Sequence, residues 1–280
     1  MSLSIAHLGP HGTYAEAAAL HCLRWLSEST GQIAFLCPYP SIAQTLEAVA
    51  KEQTHFAVVP VENSIEGSVT MTLDSLWQLD RLRIQHAIVM PISHTLISTA
   101  PNLECVQTVY SHPQALAQCQ KWLGQHLPTA QLIAANSTTE ALQHLEHDAT
   151  IAAISSQRAA ELYNLPVLAC PVNDHPDNCT RFIVLSLQPS PGGSHTSLAF
   201  SVSANQPGML VKPLQIFAQL GVNLSRIESR PTKRSLGDYL FFLDLEADTR
   251  DPFTQSALKE LANCTETLKI FGSYDVLPTN

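Results

Sequence analysis

Thr180 stands between Cys179 and Arg181 in Asn178-Cys179-Thr180-Arg181-Phe182, directly before the apolar run Ile183-Val184-Leu185. A hydroxyl that can donate a proton and a guanidinium that can grip a carboxylate thus meet at the mouth of a buried strand. Alone, the pair reads as a strand start whose hydroxyl satisfies one backbone group. Four other loop tips change its meaning. In GPHGTYAEA (9–17) the glycines permit unusual backbone angles and Thr13 caps a helix whose free N–H groups can hold a carboxylate. In VVPVENSIEGSV (58–69) Glu62 and Asn63 fall at the carboxyl end of a strand, with Ser64 or Ser68 as a helix cap. YSHPQAL (110–116) presents Ser111, His112 and Gln114 before a helix opened by Pro113. NSTTEAL (136–142), with Thr138, reads by default as a set of N-caps. Five polar tips without a metal or nucleotide signature suggest a pocket for a small polar anion.

The elements that must position these tips alternate. Strands are expected at 5–8, 33–37, 56–61, 84–96, 106–110, 132–135, 151–154, 167–172 and 182–187. Helical patterns lie between them, from Ser41 as N-cap through Ile42, Leu46 and Val49, and over 67–79, 114–123 and 138–145. Such alternation argues an α/β domain with a largely parallel sheet. The Pro/Gly/Ser-rich QPSPGGSH (188–195) reads as a linker. Beyond it come a strand at 197–202, a helix at 208–220, strands at 223–230 and 238–244, a helix capped by Asp251 with Pro252 in its first turn, and a last strand at 268–274. That is the βαββαβ order of a ferredoxin-like sandwich.

Composition excludes several classes of function. The chain has 280 residues, 45% of them hydrophobic, enough for two domains with real cores. A net charge of -9 argues against nucleic acid or an anionic membrane as partner. No apolar run is long enough to span a bilayer, and the N-terminus lacks the pattern of a signal peptide, so a cytoplasmic location is expected. The 7 cysteines show no CxxC spacing and suit reduced thiols, and the 12 histidines are scattered, so neither a disulfide frame nor a metal is expected. No GxGxxG or Walker loop is present, and no cofactor is expected.

GPHGTYAEAA, AVVPVENSIEGSV, VYSHPQAL and NCTRFIVL, in this order, closely resemble the prephenate dehydratases. PGMLVKPLQIFAQLGVNLSRIESRP and GDYLFFLDLEA resemble the ACT regulatory domain that follows the catalytic domain in that family. The resemblance implies a catalytic domain over 1–187 and an ACT domain over 196–275, joined by the linker. The catalytic domain would have two α/β subdomains around a cleft, similar to type II periplasmic binding proteins. Because the sequence opens on the first catalytic strand, the chorismate mutase module fused to some relatives is expected to be absent. The implied reaction is prephenate to phenylpyruvate, with loss of water and carbon dioxide. Arogenate dehydration, or amino-acid sensing without catalysis, is the alternative.

By that resemblance Thr180 is the essential threonine, donating to the departing hydroxyl through a relay that ends at water, His112 or Glu62. Asn63, Ser64, Ser111, Gln114, Thr13, Thr138 and Asn178 would bind substrate. Arg181 would anchor the pyruvyl carboxylate or pair with a buried acid, and Phe182 beside it would mainly pack. Gly208, Met209 and Leu210, with Asn223, Leu224, Ser225, Glu228, Ser229 and Arg230, resemble phenylalanine-binding elements. A homodimer or tetramer through the ACT domains is expected, since their edge strands need partners. Ala15 stands where relatives often carry serine. Pro213 falls inside the expected ACT helix, which must therefore begin late or kink.

Overall fold

The computed structural model describes residues 2–145, 148–202 and 206–278. The first subdomain runs β1 (Leu3–Leu8), α1 (Tyr14–Thr30), β2 (Ala34–Tyr39), α2 (Ile42–Ala50), β3 (Phe56–Asn63), the short β4 (Gly67–Ser68), α3 (Thr70–Gln78) and β5 (Arg83–Pro91). The second runs β6 (His94–Ile97), β7 (Thr108–Ser111), α4 (Pro113–Gln118), α5 (Gln120–His126), β8 (Gln131–Ala134), β9 (Ile151–Ser156), α6 (Gln157–Leu162) and β10 (Val167–Ala169). The chain then returns as β11 (Cys179–Ser186) into the first sheet. Two crossings join the subdomains, and they meet where Ile92 N–H donates to Asn178 O at 2.8 Å.

The ACT unit runs β12 (His195–Ser201), α7 (Val211–Gln219), β13 (Leu224–Pro231), β14 (Tyr239–Leu245), α8 (Pro252–Ala262) and β15 (Thr267–Leu277). Its sheet order is β13-β14-β12-β15, as the βαββαβ sandwich requires. The helices cover one face, burying Phe200, Phe217, Leu243 and Leu261. The other face is not open to water. Phe242, Phe271 and Tyr274 share a core with Leu46, Leu73, Val61 and Ile183 of the first subdomain. The sheets are also joined edge to edge, because the end of β15 pairs in parallel with β5 through Asp275↔His86, Val276↔Ala87 and Leu277↔Ile88. The strand expected to end at 274 therefore continues across the seam, and the domain end expected at 275 falls inside it.

Several expected elements differ for physical reasons. The 84–96 run is two strands in different sheets, broken where the chain crosses between subdomains at Ile92-Ser93. The 114–123 helix breaks at Cys119, whose φ of -119° leaves the helical region. The 138–145 segment is a 3-10 turn over Glu140–Leu145. Neither Ser64 nor Ser68 caps α3, whose N-cap is Val69 without a side-chain bond. α7 begins at Val211, so Pro213 sits in its first turn, where a missing N–H removes no helical bond. Ser41, Thr13 and Asp251 cap as expected. Among the described residues no helix is long and apolar enough to cross a membrane.

His7 and His94 are buried, and His86 is half-buried. Burial holds His7, His86 and His94 below the ordinary pKa of 6.5. The unfolded chain therefore takes up their protons first as the pH falls, so stability declines from about pH 6.5 downward. A melting temperature that stays level between pH 8 and 7 and falls between pH 6.5 and 5 is the expected record. A level curve down to pH 5 would contradict it.

Candidate active site

A cleft of about 950 Å³ lies between the subdomains, lined by Thr13, Asn63, His112, Gln114, Thr138, Thr180 and Phe182, among others. The two subdomains touch at the start of α1. Ser156 Oγ donates to Gly12 O at 2.7 Å, and Arg158 reaches Glu16 Oε2 at 3.3 Å. Gly12 has φ +81°, and a Cβ there would meet Ala159 and Thr139 at 3.1 Å, so this approach needs glycine.

Thr180 is the centre of a polarised amide chain. Asn63 Oδ1 accepts from the backbone N–H groups of Ile65 (3.0 Å) and Glu66 (3.1 Å), which fixes the amide's orientation. Its Nδ2 must then face Thr180 Oγ1, at 2.9 Å, and Asn178 Oδ1, at 2.9 Å. Asn178 Oδ1 also accepts from Ser64 Oγ, so its Nδ2 turns to Gln118 Oε1 at 3.0 Å. His94 Nε2 lies 2.9 Å from the same oxygen and donates to it. The consequence at the far end is decisive. Thr180 Oγ1 accepts from a fixed donor, so its own proton is free to point into the cleft.

His112 Nδ1 accepts from Gln114 N–H at 3.2 Å, leaving Nε2 for the cleft. The cleft lining holds no lysine or arginine among the described residues, and Glu140 is its acid. Any bound carboxylate must rest on hydroxyls, amides, the His112 ring and the N-terminus of α1.

Three expected site residues are elsewhere. Arg181 alternates with Thr180 and Phe182 along β11, so its side chain leaves on the opposite face. There it donates to Asp244 and, at 2.8 Å, to Glu62 Oε2. Of the two readings of Arg181, the pair with a buried acid is the observed one. Glu62 faces the same way and takes no place in a relay from Thr180. Ser111 is fully buried and donates to Ile154 O at 2.7 Å, holding strands together instead of lining the cleft. Ser64 and Asn178 stand behind the lining as members of the amide chain. Phe182 packs, 2% exposed, among Ile5, Val58 and Ile88.

Sequence reasoning missed His94, Gln118 and Tyr14, which also line the cleft, Tyr14 with its hydroxyl donating to Ser93 O at 2.6 Å. Gln118 lies one helical turn after Gln114, a spacing that could have revealed it. His94 was hidden in what read as a continuous strand.

In the ACT unit, Gly208, Met209 and Leu210 line a second cavity of about 210 Å³ with Tyr239 and Phe241. The six residues expected from β13 and its approach do not line it. Asn223 donates to Glu246 at 2.7 Å, Ser225 to Asp244 O at 3.3 Å, and Leu224 packs in the ACT core. Ser229 is exposed on the edge strand. Glu228 accepts from Ser68, and Arg230 pairs with Asp74 at 3.1 Å, so both face the catalytic half. One chain therefore does not gather the whole expected effector set.

The family description "Prephenate dehydratase" matches residues 5–190 and "ACT domain" matches residues 196–263. A bifunctional chorismate mutase/prephenate dehydratase of Aquifex aeolicus is 40% identical, over 97% of this chain and 73% of its own length. A prephenate dehydratase of a Mycobacterium species (strain JLS) is 38% identical, over 96% of this chain and 88% of its own. The crystal structure of prephenate dehydratase from Arthrobacter aurescens in complex with L-Phe superposes with a TM-score of 0.85 at 34% identity. It covers 100% of this chain and 92% of that one.

Proposed function

The chain belongs to the prephenate dehydratase family, and from that premise we propose that its cleft turns prephenate into phenylpyruvate, carbon dioxide and water, in the cytoplasm. The observation that carries the reading is the hydroxyl of Thr180, whose acceptor side is occupied by Asn63 and whose proton is therefore directed at the substrate. As the ring C–O bond breaks, this O–H supports the departing hydroxide, which takes a proton from water or from His112. The electrons of the ring-to-carboxylate bond move into the ring, carbon dioxide leaves, and the ring becomes aromatic. Thr13, Gln114, Gln118 and Thr138 would bind and orient substrate from the cleft wall. A wall without cations suits the departing carboxylate, because no ion pair has to be broken as its charge disperses. The purified protein is assayed with prephenate and with arogenate. Phenylpyruvate from prephenate supports the reading, whereas phenylalanine from arogenate alone would replace it.

Regulation belongs to the same proposal. Phenylalanine is expected to bind beside Gly208, Met209 and Leu210, with β13 of a second protomer completing the site in a dimer or tetramer. Calorimetry is expected to show binding that persists when the cleft is filled by an unreactive analogue. Binding abolished by the analogue, and restored only as it is diluted out, would place phenylalanine in the cleft instead.

A further inference from the structure

The ACT half contributes one side chain to the strand that carries Thr180. Arg181, the next residue, extends to the other side of β11, and Asp244 of β14 receives it. Asp244 is 2% exposed. It also accepts from Ser197 Oγ at 2.5 Å and lies 3.3 Å from Arg226 Nη1, while Ser197 Oγ is 2.7 Å from Tyr274 OH. Burial pushes its carboxyl pKa up, but Arg181, Arg226 and Ser197 more than offset that, so it stays ionised and below the ordinary range. A carboxylate so buried has almost no freedom, and an arginine bound to it inherits that rigidity.

Thr180 needs such an anchor because the ladder beside it is irregular. Opposite β3 the register shifts between Arg181 and Phe182, from Arg181↔Glu62 to Phe182↔Pro60. The extra residue is Val61 of β3, so the bulge loosens the pairing of β11 on that side alone, while β5 keeps its register with Thr180, Arg181 and Phe182. Arg181 is the residue at the shift, and Asp244 holds it from outside the catalytic half. Glu62 is the softer partner, with 35% of its side chain exposed against 3% for Asp244.

We propose that Asp244 is a positioning residue for the dehydration: by fixing Arg181 it holds β11 where it faces the bulge of β3, so that the Thr180 hydroxyl faces the substrate. This rests on the proposed function for its kinetic readout, and on the Thr180–Asn63 bond for a structural one. Asp244→Asn is expected to lower kcat about tenfold while KM for prephenate changes less than about threefold. Asp244→Glu is expected to regain part of the loss. Arg181→Met combined with Asp244→Asn should be no slower than the slower single variant, as for two residues acting through one contact. Wild-type kcat in Asp244→Asn, or losses that multiply in the double variant, would overturn the proposal.

Unpaired buried charge can unfold a protein, so Arg181→Met/Asp244→Leu, which removes both charges of the contact, is the second test. It is expected to fold with a near-native melting curve and to keep the lowered kcat, and full recovery of kcat would count against positioning. If wild type fails to turn over prephenate, the functional reading falls by itself. The inference is then decided by a crystal structure of Asp244→Asn. A displaced Thr180 hydroxyl, beyond hydrogen-bond reach of Asn63, supports it, and a bond kept at about 2.9 Å overturns it.

Discussion

Thr180→Ala is expected to lower kcat by at least about 10²-fold with KM nearly unchanged, the pattern of a donor engaged chiefly in the transition state. Thr180 is 8% exposed and sits on a strand end clamped by β3 and β5, so removing its hydroxyl opens no large cavity and leaves the fold intact. What disappears is the one donor whose direction is imposed by a neighbour. Thr180→Ser restores the donor without the methyl group that limits its rotation and is expected to recover part of the rate. Thr180→Val keeps the shape without the donor and should be as slow as alanine. Steady-state kinetics on the three variants separates shape from proton donation, and a valine variant near wild-type turnover would remove Thr180 from the chemistry.

Asn63→Asp is expected to be as severe, by about 10²- to 10³-fold in kcat, although it changes one atom for another of equal size. The carboxylate can still accept from Ile65 and Glu66, but it has no proton for Thr180. The threonine hydroxyl would then donate to the new carboxylate, and its proton would be turned out of the cleft. Asn178 Oδ1 and the carbonyl of Cys179 would each lose the amide and keep only their bond from Ser64. Asn63→Ala, which merely leaves Thr180 without a partner, should therefore be faster than Asn63→Asp. That order is counterintuitive for a truncation and specific to a polarised chain. Equal rates for the two variants would mean that the chain does not orient the hydroxyl.

Much of this was legible in the sequence. The strand-helix alternation, the ACT order and the caps at Thr13, Ser41 and Asp251 follow from local chemistry, and the observed elements agree with them. Thr180 and Asn63 were legible as polar tips of strands. The facing of Arg181 and Glu62 was not, because it depends on which residues pair between strands 119 residues apart in sequence, with Arg181 opposite Glu62. A motif states which residues are neighbours along the chain, whereas strand alternation sends those neighbours to opposite sides. His94 was lost because a hinge crossing and a strand interior share the same apolar pattern. The extra length of β15 was lost because Asp275 looks like a terminus until its partner in β5 is known.

The crossing of β15 into the catalytic sheet has a bearing on how the gene could be divided. The halves are tied together by the peptide at 187–194 and again, independently, by the last strand. That second tie is a ladder beside a shared apolar core and does not depend on an unbroken peptide. Two messages, one ending within the linker and one beginning there, would encode partners that recognise each other through an unfilled position next to β5. A stop codon before Asp275 would do the reverse: the peptide would remain continuous, but the edge of β5 would be bare. For this architecture the codons for Asp275, Val276 and Leu277 carry a tie between the halves that is separate from the bond joining them.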